Sequence, residues 1–500
     1  MQVDRLIRDK YTVVIGLEVH AQLLTASKIY APDSNQFGCD PNTNISVITL
    51  GHPGVMPKLN KKVVEYAIKM GLACHSEISP VNIFDRKNYF YPDLPKGYQL
   101  TQDTTPICQG GYIPIRLKNG ETKEIGLFKI HIEEDAGKSI HAEGESDTLV
   151  DFNRAGVPLI EIVTKPEIRS SVEATVLLSE IRRLVRYLDI CDGDMEKGSM
   201  RCDANVSVML NGADQLGNKV EVKNMNSIRN VQRAIDHEIK RQILELEKGN
   251  QIPSETRTFH DNSGTTSGMR EKEQLNDYRY FPEPDLSPLI ISKEWLADIK
   301  QSMPELPRQL LDKFISEYQL PEYDAQFLTD SKTMAHYFME LCELTHNYKA
   351  ASNWIMGPVK SYLNDNGMGM SDFPIEPKRL SDLIKMADEG KISFTVASQK
   401  VFPQLLSNSN ITADAVVKDL NLVQDSDTGN IQPLIDEVLA SLPDKVEAYK
   451  KGKKGLLGLF MGEVMKKSEG KANPRLTNEL LKKCLDQSFE QPLKGYRKRN

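Results

Sequence analysis

Cysteine is sparse and unpaired in this chain. Cys39, Cys74, Cys108, Cys191, Cys202, Cys342 and Cys484 are scattered singly, and no CxxC occurs. That argues against a zinc ribbon, and the odd count points to reduced thiols, as expected of a cytoplasmic protein. No apolar run approaches the roughly 20 residues that cross a bilayer, and the opening MQVDRLIRDKYTVV lacks the apolar stretch of a secretory signal, so no membrane partner is expected. Nucleotide-binding and hydrolase signatures are missing as well. Ala136-Gly137-Lys138-Ser139 looks like the end of a phosphate-binding P-loop, but the glycine the motif needs at 132 is Ile132. The absence of GxGxxG, HExxH and GxSxG disfavours dinucleotide enzymes, zincins and α/β hydrolases.

A chain of 500 residues is too long for one core and divides into about two to four domains. The net charge of -7 conceals an asymmetry: residues 445–500 carry 15 Lys or Arg against six Asp or Glu, which leaves the rest strongly acidic. An acidic body with a basic tail suits a polyanion that docks at the tail. Solubility alone also explains it.

The densest polar segment is HIEEDAGKSIH at 131–141, which crowds carboxylates, imidazoles and a lysine between strand-like stretches. Carboxylates so close together cannot all stay ionised in a dry interior, so they face water or share a cation. Similar carboxylates recur in other apolar strands. TVVIGLEVHAQLL at 12–24 turns Leu17, Val19, Ala21 and Leu23 one way and Glu18, His20 and Gln22 the other. PLIEIV at 158–163 sets Glu161 among four aliphatics. RCDANVSV at 201–208 puts Arg201, Asp203, Asn205 and Ser207 on one face, and Val220–Lys223 places Lys223 beside Glu221. Either this is a sheet with an ordinary wet face, or that face is the floor of a site. Alternation sends His131 and Glu133 to the polar face and Glu134 to the face of Ile130 and Ile132, unless a bulge turns Glu134 round.

Helices are expected from Asn60 over about 61–73, from the capping box Ser170 and Glu173, and from Asn226 or Ser227 to Gly249. The aromatic loop DRKNYFYPD at 85–93 suits stacking on a base or plain packing at a sheet edge, and NDYRYFPEPDLSP at 276–288 closes the first region as a Pro-rich, aromatic segment. Beyond residue 288 strand patterns stop and spacing turns helical, with QDSDTGN at 424–430 as a linker. The expected class is α+β: a largely antiparallel-sheet, cradle-like domain at 1–297, a helical domain at 298–424, and a small basic helical module at 430–500 whose core is Leu456, Leu457, Phe460, Val464 and Met465.

Taken together, GLEVH at 16–20, DRKNYFYPD at 85–93, HIEEDAGKS at 131–139, PLIEIV at 158–163, RCDANVS at 201–207 and DYRYFPEPD at 277–285 closely resemble the B-subunit family of aspartyl/glutamyl-tRNA(Asn/Gln) amidotransferases. The resemblance covers nearly the whole chain. It implies a ligase that uses ATP to phosphorylate the side-chain carboxylate of misacylated Glu-tRNA(Gln) or Asp-tRNA(Asn), then forms the amide with ammonia. It also implies that His20, Glu134 and Glu161 hold Mg²⁺, with Glu18 and Asp203 completing the site, and makes Arg201 and Lys223 weaker candidates for phosphate contacts. No amidase-type Ser/Lys signature is visible, so ammonia would come from an amidase (glutaminase) A subunit, with a small C subunit completing a heterotrimer. Some family members bind zinc through extra cysteines near 39–48. Only Cys39 is present here, so no structural zinc is expected. His52 also departs from the family. The competing readings are a self-contained carboxylate–amine ligase acting on a small molecule, and a non-catalytic RNA-binding scaffold.

Overall fold

Strand β1, Tyr11–Gln22, sits in the middle of a ten-stranded sheet because every second residue from Val13 to Ala21 is apolar. The computed structural model describes residues 5–141, 147–269, 278–423, 427–468 and 470–487. Chain contacts divide it into two units, Met1–Gln309 and Leu310–Asn500.

In the first unit, helix α1 (Lys61–Ala73) is capped by Asn60, whose side chain accepts from Lys62 N. Next come β2 (Asp85–Asn88), β3 (Tyr98–Thr101), β4 (Thr122–Glu134), β5 (Pro158–Thr164) and α2 (Ser171–Tyr187). They are followed by β6 (Met200–Leu210), β7 (Val220–Lys223), α3 (Ile228–Glu247), β8 (Glu255–His260), β9 (Thr265–Gly268) and β10 (Phe281–Pro282). The sheet runs β9-β8-β7-β6-β1-β5-β4 and continues through two short strands, Cys108–Gln109 and Glu77–Ile78. Every pairing along it is antiparallel except β7 with β8. Beyond residue 288 the first unit keeps one more strand, Leu289–Ile290, which pairs with Val81–Asn82, so strand pairing ends slightly later than the pattern suggested.

One face of the sheet is dry. Leu17, Val19 and Ala21 of β1 share a core with Val63 and Ile68 of α1, Leu177 and Ile181 of α2, and Val231 and Ile235 of α3. Helix α2 begins where Ser170 Oγ accepts from Glu173 N at 3.1 Å. Glu173 Oε1 accepts from Ser170 Oγ at 3.4 Å, and Glu173 Oε2 takes Arg169 N at 3.1 Å and Lys123 Nζ at 2.7 Å. Replacing Ser170 by alanine is expected to lower the unfolding free energy of this unit by about 1 kcal/mol. A shift of the urea midpoint at constant slope measures it.

The second unit is helical in its described residues. Lys332–Thr345 packs on Pro377–Asp388, with Phe314, Phe338 and Trp354 among the buried rings. The proposed linker proves partly helical: Gln424–Ser426 lie outside the described residues, but Asp427 caps a helix over Thr428–Ser441. A separate apolar cluster follows, built from Ile431, Ile435, Val438, Tyr449, Phe460, Val464, Leu481 and Leu485. Phe460 and Val464 are central to it, and Leu456, Leu457 and Met465 pack at its margin. The last stretch of the basic tail, 488–500, is outside the described residues. Among the described residues no helix is long and apolar enough to cross a membrane.

Candidate functional site

The wet face of the sheet collects its polar residues by register. In β1, His20 stands opposite Glu161 of β5 on one side and Arg201 of β6 on the other, and Glu161 in turn faces His131 of β4. Glu18, two residues back on the same face, stands opposite Asp203. Neighbouring strands therefore deliver two imidazoles and two carboxylates to one spot. His20 Nε2 lies 3.3 Å from Glu133 Oε1 and 3.4 Å from Glu161 Oε2, and His131 Nε2 lies 3.2 Å from Glu161 Oε2 and 3.7 Å from Glu133 Oε2.

Burial alone would drive protons off the histidines and onto the carboxyls. Pairing outweighs it. Burial works to lower the His20 imidazole, but hydrogen bonds from Glu133 and Glu161 push it up to about 10. His131 is raised against burial by the same two partners. Burial likewise favours protonated Glu133 and Glu161, yet the imidazoles hold both carboxyls well below their usual range. Imidazoles and carboxylates thus favour one another's charged forms in a site that is largely closed to water.

Around this group the remaining polar residues are engaged with one another. Lys223 Nζ bridges Asp203 Oδ2 at 2.7 Å and Glu221 Oε1 at 2.8 Å; burial works to lower its pKa, and these two carboxylates raise it. Glu18 accepts from Asn205 Nδ2 at 2.8 Å; burial, then the nearby Glu161 charge, raise its carboxyl. Asp135 gathers Arg201 Nη2 at 2.8 Å and Gln22 Nε2 at 2.9 Å. The Asp135 carboxylate is also the main cause of the raised Arg201 pKa.

The geometry changes the expected set in one place. Glu134 does not join His20 and Glu161. Past an irregularity near Phe128, β4 pairs with β5 in unbroken register from Lys129 to Glu134, so Glu134 points to the opposite face from Glu133, and Glu133 occupies the place expected for Glu134. Glu134 is buried in an ion pair with Lys96 and accepts Leu100 N at 2.8 Å. It lines a separate pocket with Lys28, Tyr30, Lys96, His52 and Gly156. There the buried Lys28 amine is pushed by burial down to about 8, partly offset by Asp33 and Glu134. Among the described residues the Tyr30 hydroxyl in this pocket has no hydrogen-bond partner.

His131 and Glu133 are the residues a choice based on resemblance passes over. The period-two pattern of the strand had already put both on the polar face. The structure brings Glu18, His20, Glu161, Arg201, Asp203 and Lys223 onto one surface, as the alternation of their strands implied.

Among the described residues, one group of side chains can offer a metal ion three ligand atoms: His20, Glu133 and Glu161, whose atoms lie within 4.8 Å of one another. Two carboxylates and a neutral imidazole match a divalent charge, and the oxygens suit a hard cation. The imidazole nitrogen widens the choice toward Mn²⁺ and its neighbours.

Comparison with known proteins accords with this geometry. Residues 13–297 match the model of the GatB/GatE catalytic domain, and residues 336–485 match that of the GatB domain. The chain belongs to the GatB/GatE family. It is 49% identical over 476 residues to the B subunit of the aspartyl/glutamyl-tRNA(Asn/Gln) amidotransferase of Trichlorobacter lovleyi, covering 95% of this chain and 99% of that protein. Proteins of the same name from Thermodesulfovibrio yellowstonii and Geotalea uraniireducens are each 48% identical, again over 95% of this chain and 99–100% of theirs. The catalytic-domain match encloses every strand that builds the His20, Glu133 and Glu161 group, so the family's catalytic domain and the site fall on the same residues.

Proposed function

We infer that this chain is the subunit of a glutamine-dependent tRNA amidotransferase that converts Glu-tRNA(Gln), Asp-tRNA(Asn), or both to the corresponding amide. The observation that carries the reading is the closed group of His20, His131, Glu133 and Glu161 inside the GatB/GatE catalytic domain. A free carboxylate does not exchange oxygen for nitrogen with ammonia, since oxide is too poor a leaving group. The side-chain carboxylate of the esterified amino acid first takes the γ-phosphoryl group of ATP, releasing ADP. Ammonia then adds to the acyl phosphate, phosphate departs with the bonding pair, and one proton is lost from nitrogen.

His20, Glu133 and Glu161 would hold Mg²⁺ in this reading. The ion would supply neutralisation of phosphate charge during transfer. The surrounding residues supply orientation. Arg201, fixed through one nitrogen by Asp135, has further N–H donors for phosphate oxygens, and Lys223 keeps the Asp203 and Glu221 charges from repelling the incoming anion. Glu18, with its raised carboxyl pKa, is suited to receive the proton that leaves nitrogen. Ammonia would come from a glutaminase A subunit, with a small C subunit completing the cytoplasmic assembly. Mixing this chain with those partners, glutamine, ATP and each misacylated tRNA, and scoring the amide, tests the reading. Turnover of a small carboxylic acid without tRNA would favour the self-contained ligase, and no ATP-dependent product would leave the scaffold reading.

The basic module supports the tRNA part. Lys451, Lys453, Lys454, Lys466, Lys482 and Lys483 are exposed on it, while Phe460 and Val464 are used up in its core. Such a surface grips phosphate more than it reads bases. Changing Lys453, Lys466, Lys482 and Lys483 to glutamine is expected to weaken tRNA binding. The plot of log affinity against log salt should flatten by roughly 0.7–0.9 for each phosphate the variant no longer neutralises. Glutamine hydrolysis by the glutaminase should be unchanged.

A further inference from the structure

We propose that an aromatic strap formed by residues 87–91 and 278–280 is the seat for the unpaired 3′ end of the acylated tRNA, stacking its terminal bases beside the carboxylate and imidazole group. This rests on the tRNA substrate inferred above.

The strap joins two distant loops. β2 pairs with β10, Asn88 N donates to Tyr278 O at 2.9 Å, and the Asn88 side-chain amide donates to Arg279 O at 2.8 Å. That clamp aligns Tyr91, Tyr89, Tyr278 and Tyr280 in a row with successive ring centroids 6.1, 6.1 and 6.0 Å apart, each meeting the next edge to face. A packed sheet edge would bury such rings. Here Phe90 is 83% exposed, Tyr91 55% and Tyr280 41%. Edge contacts stabilise the row while leaving ring faces uncovered.

Charge points the same way. Lys87 Nζ sits 4.9 Å from the Tyr278 ring centroid and 5.9 Å from that of Tyr89, with no carboxylate partner among the described residues. A cation held among flat rings matches the alternating phosphate and base of a single strand, and stacking of this kind tolerates any base. The open, elongated form suits an RNA end better than a free nucleotide, which proteins mostly enclose in a pocket.

The row also leads to the site. Tyr89 Oη donates to Gln99 Oε1 at 3.2 Å, and Gln99 Nε2 donates to the carbonyl of Glu134 at 2.6 Å, one residue beyond Glu133. An amino acid esterified to a 3′ end on the strap would have its side chain directed at the group that activates it.

The test uses the assembled amidotransferase carrying Phe90→Leu, Tyr91→Leu and Tyr280→Leu together, with Tyr91→Phe as the conservative control. Leucine keeps apolar bulk at these exposed positions but has no ring face. KM for misacylated tRNA should rise about tenfold or more, in keeping with the loss of at least one stacked base, while KM for ATP and hydrolysis of glutamine by the glutaminase hold. Tyr91→Phe, which keeps the ring face, should raise KM for misacylated tRNA by less than the triple variant does. A short unacylated RNA with the sequence of the tRNA's 3′ end should compete with tRNA for the wild-type complex and not for the triple variant. Unchanged KM for tRNA overturns the proposal, and so does a rise in KM for ATP alone, which would assign the rings to the nucleotide. If the wild-type complex makes no amide from misacylated tRNA, the functional reading has failed; competition by the RNA end for tRNA binding still decides the strap.

Discussion

Glu161→Gln abolishes ATP-dependent amide formation by the assembled enzyme, with a fall in kcat of at least about a thousandfold expected from losing a buried electrostatic contact at the reacting centre. Glu161 reaches both imidazoles through a single oxygen, Oε2, at 3.4 Å from His20 and 3.2 Å from His131. Glutamine has the same shape but no charge, so a divalent cation loses one anionic ligand and both imidazoles lose a support for their protons. Glutamine hydrolysis in the glutaminase survives, because nothing in that step uses Glu161. Rapid-quench measurement of ADP formation, beside a circular dichroism melt to show that the sheet persists, checks the result. Normal phosphorylation of the misacylated substrate by the variant would remove Glu161 from the site.

The second large effect separates two neighbours in the chain. Glu133→Gln should eliminate binding of Mg²⁺ or Mn²⁺ and also lower stability, because the Glu133 carboxylate is buried between His20 and His131. Glu134→Gln should leave cation binding in place and lower stability by about 3 kcal/mol or more, the usual consequence of stranding one partner of a buried ion pair. The stranded partner is Lys96, whose side chain is only 12% exposed and whose ammonium lies 5.3 Å from the Tyr98 ring centroid and 5.8 Å from that of Tyr30. Calorimetric titration with Mn²⁺ and a urea unfolding curve for each variant give the two readouts. If Glu134→Gln loses the cation and Glu133→Gln keeps it, Glu134 is the ligand, as the family's motif implies, and Glu133 is not.

Much of the first unit could be read from residue order. Alternation in β1 fixed which side chains of Tyr11–Gln22 were buried, Asn60 and Ser170 marked helix starts, and Leu177, Ile181, Leu184 and Val185 lie buried on the predicted stripe of α2. The site residues were legible for the same reason, since each sits at an odd polar position in an apolar strand. Glu133 and Glu134 show the limit of motif matching. A motif says that a carboxylate belongs near position 134, while the pleat decides which of two adjacent ones faces the imidazoles. What residue order could not supply was register: Glu161 and His131 meet only because β5 and β4 pair at that offset, and no local pattern encodes a contact across the chain between them. The joining of the two aromatic loops depends in the same way on long-range pairing of β2 with β10.

The central place of β1 also bears on how the protein is made. Its partners are β5, whose paired residues begin at Leu159, and β6, which reaches Leu210. On a ribosome adding about 5–20 residues each second, an emerged β1 waits on the order of 10–40 seconds before its second neighbour is even synthesised. During that interval a strand with two valines, an isoleucine and a leucine along one side has both hydrogen-bonding edges open, the state most prone to pairing with another nascent chain.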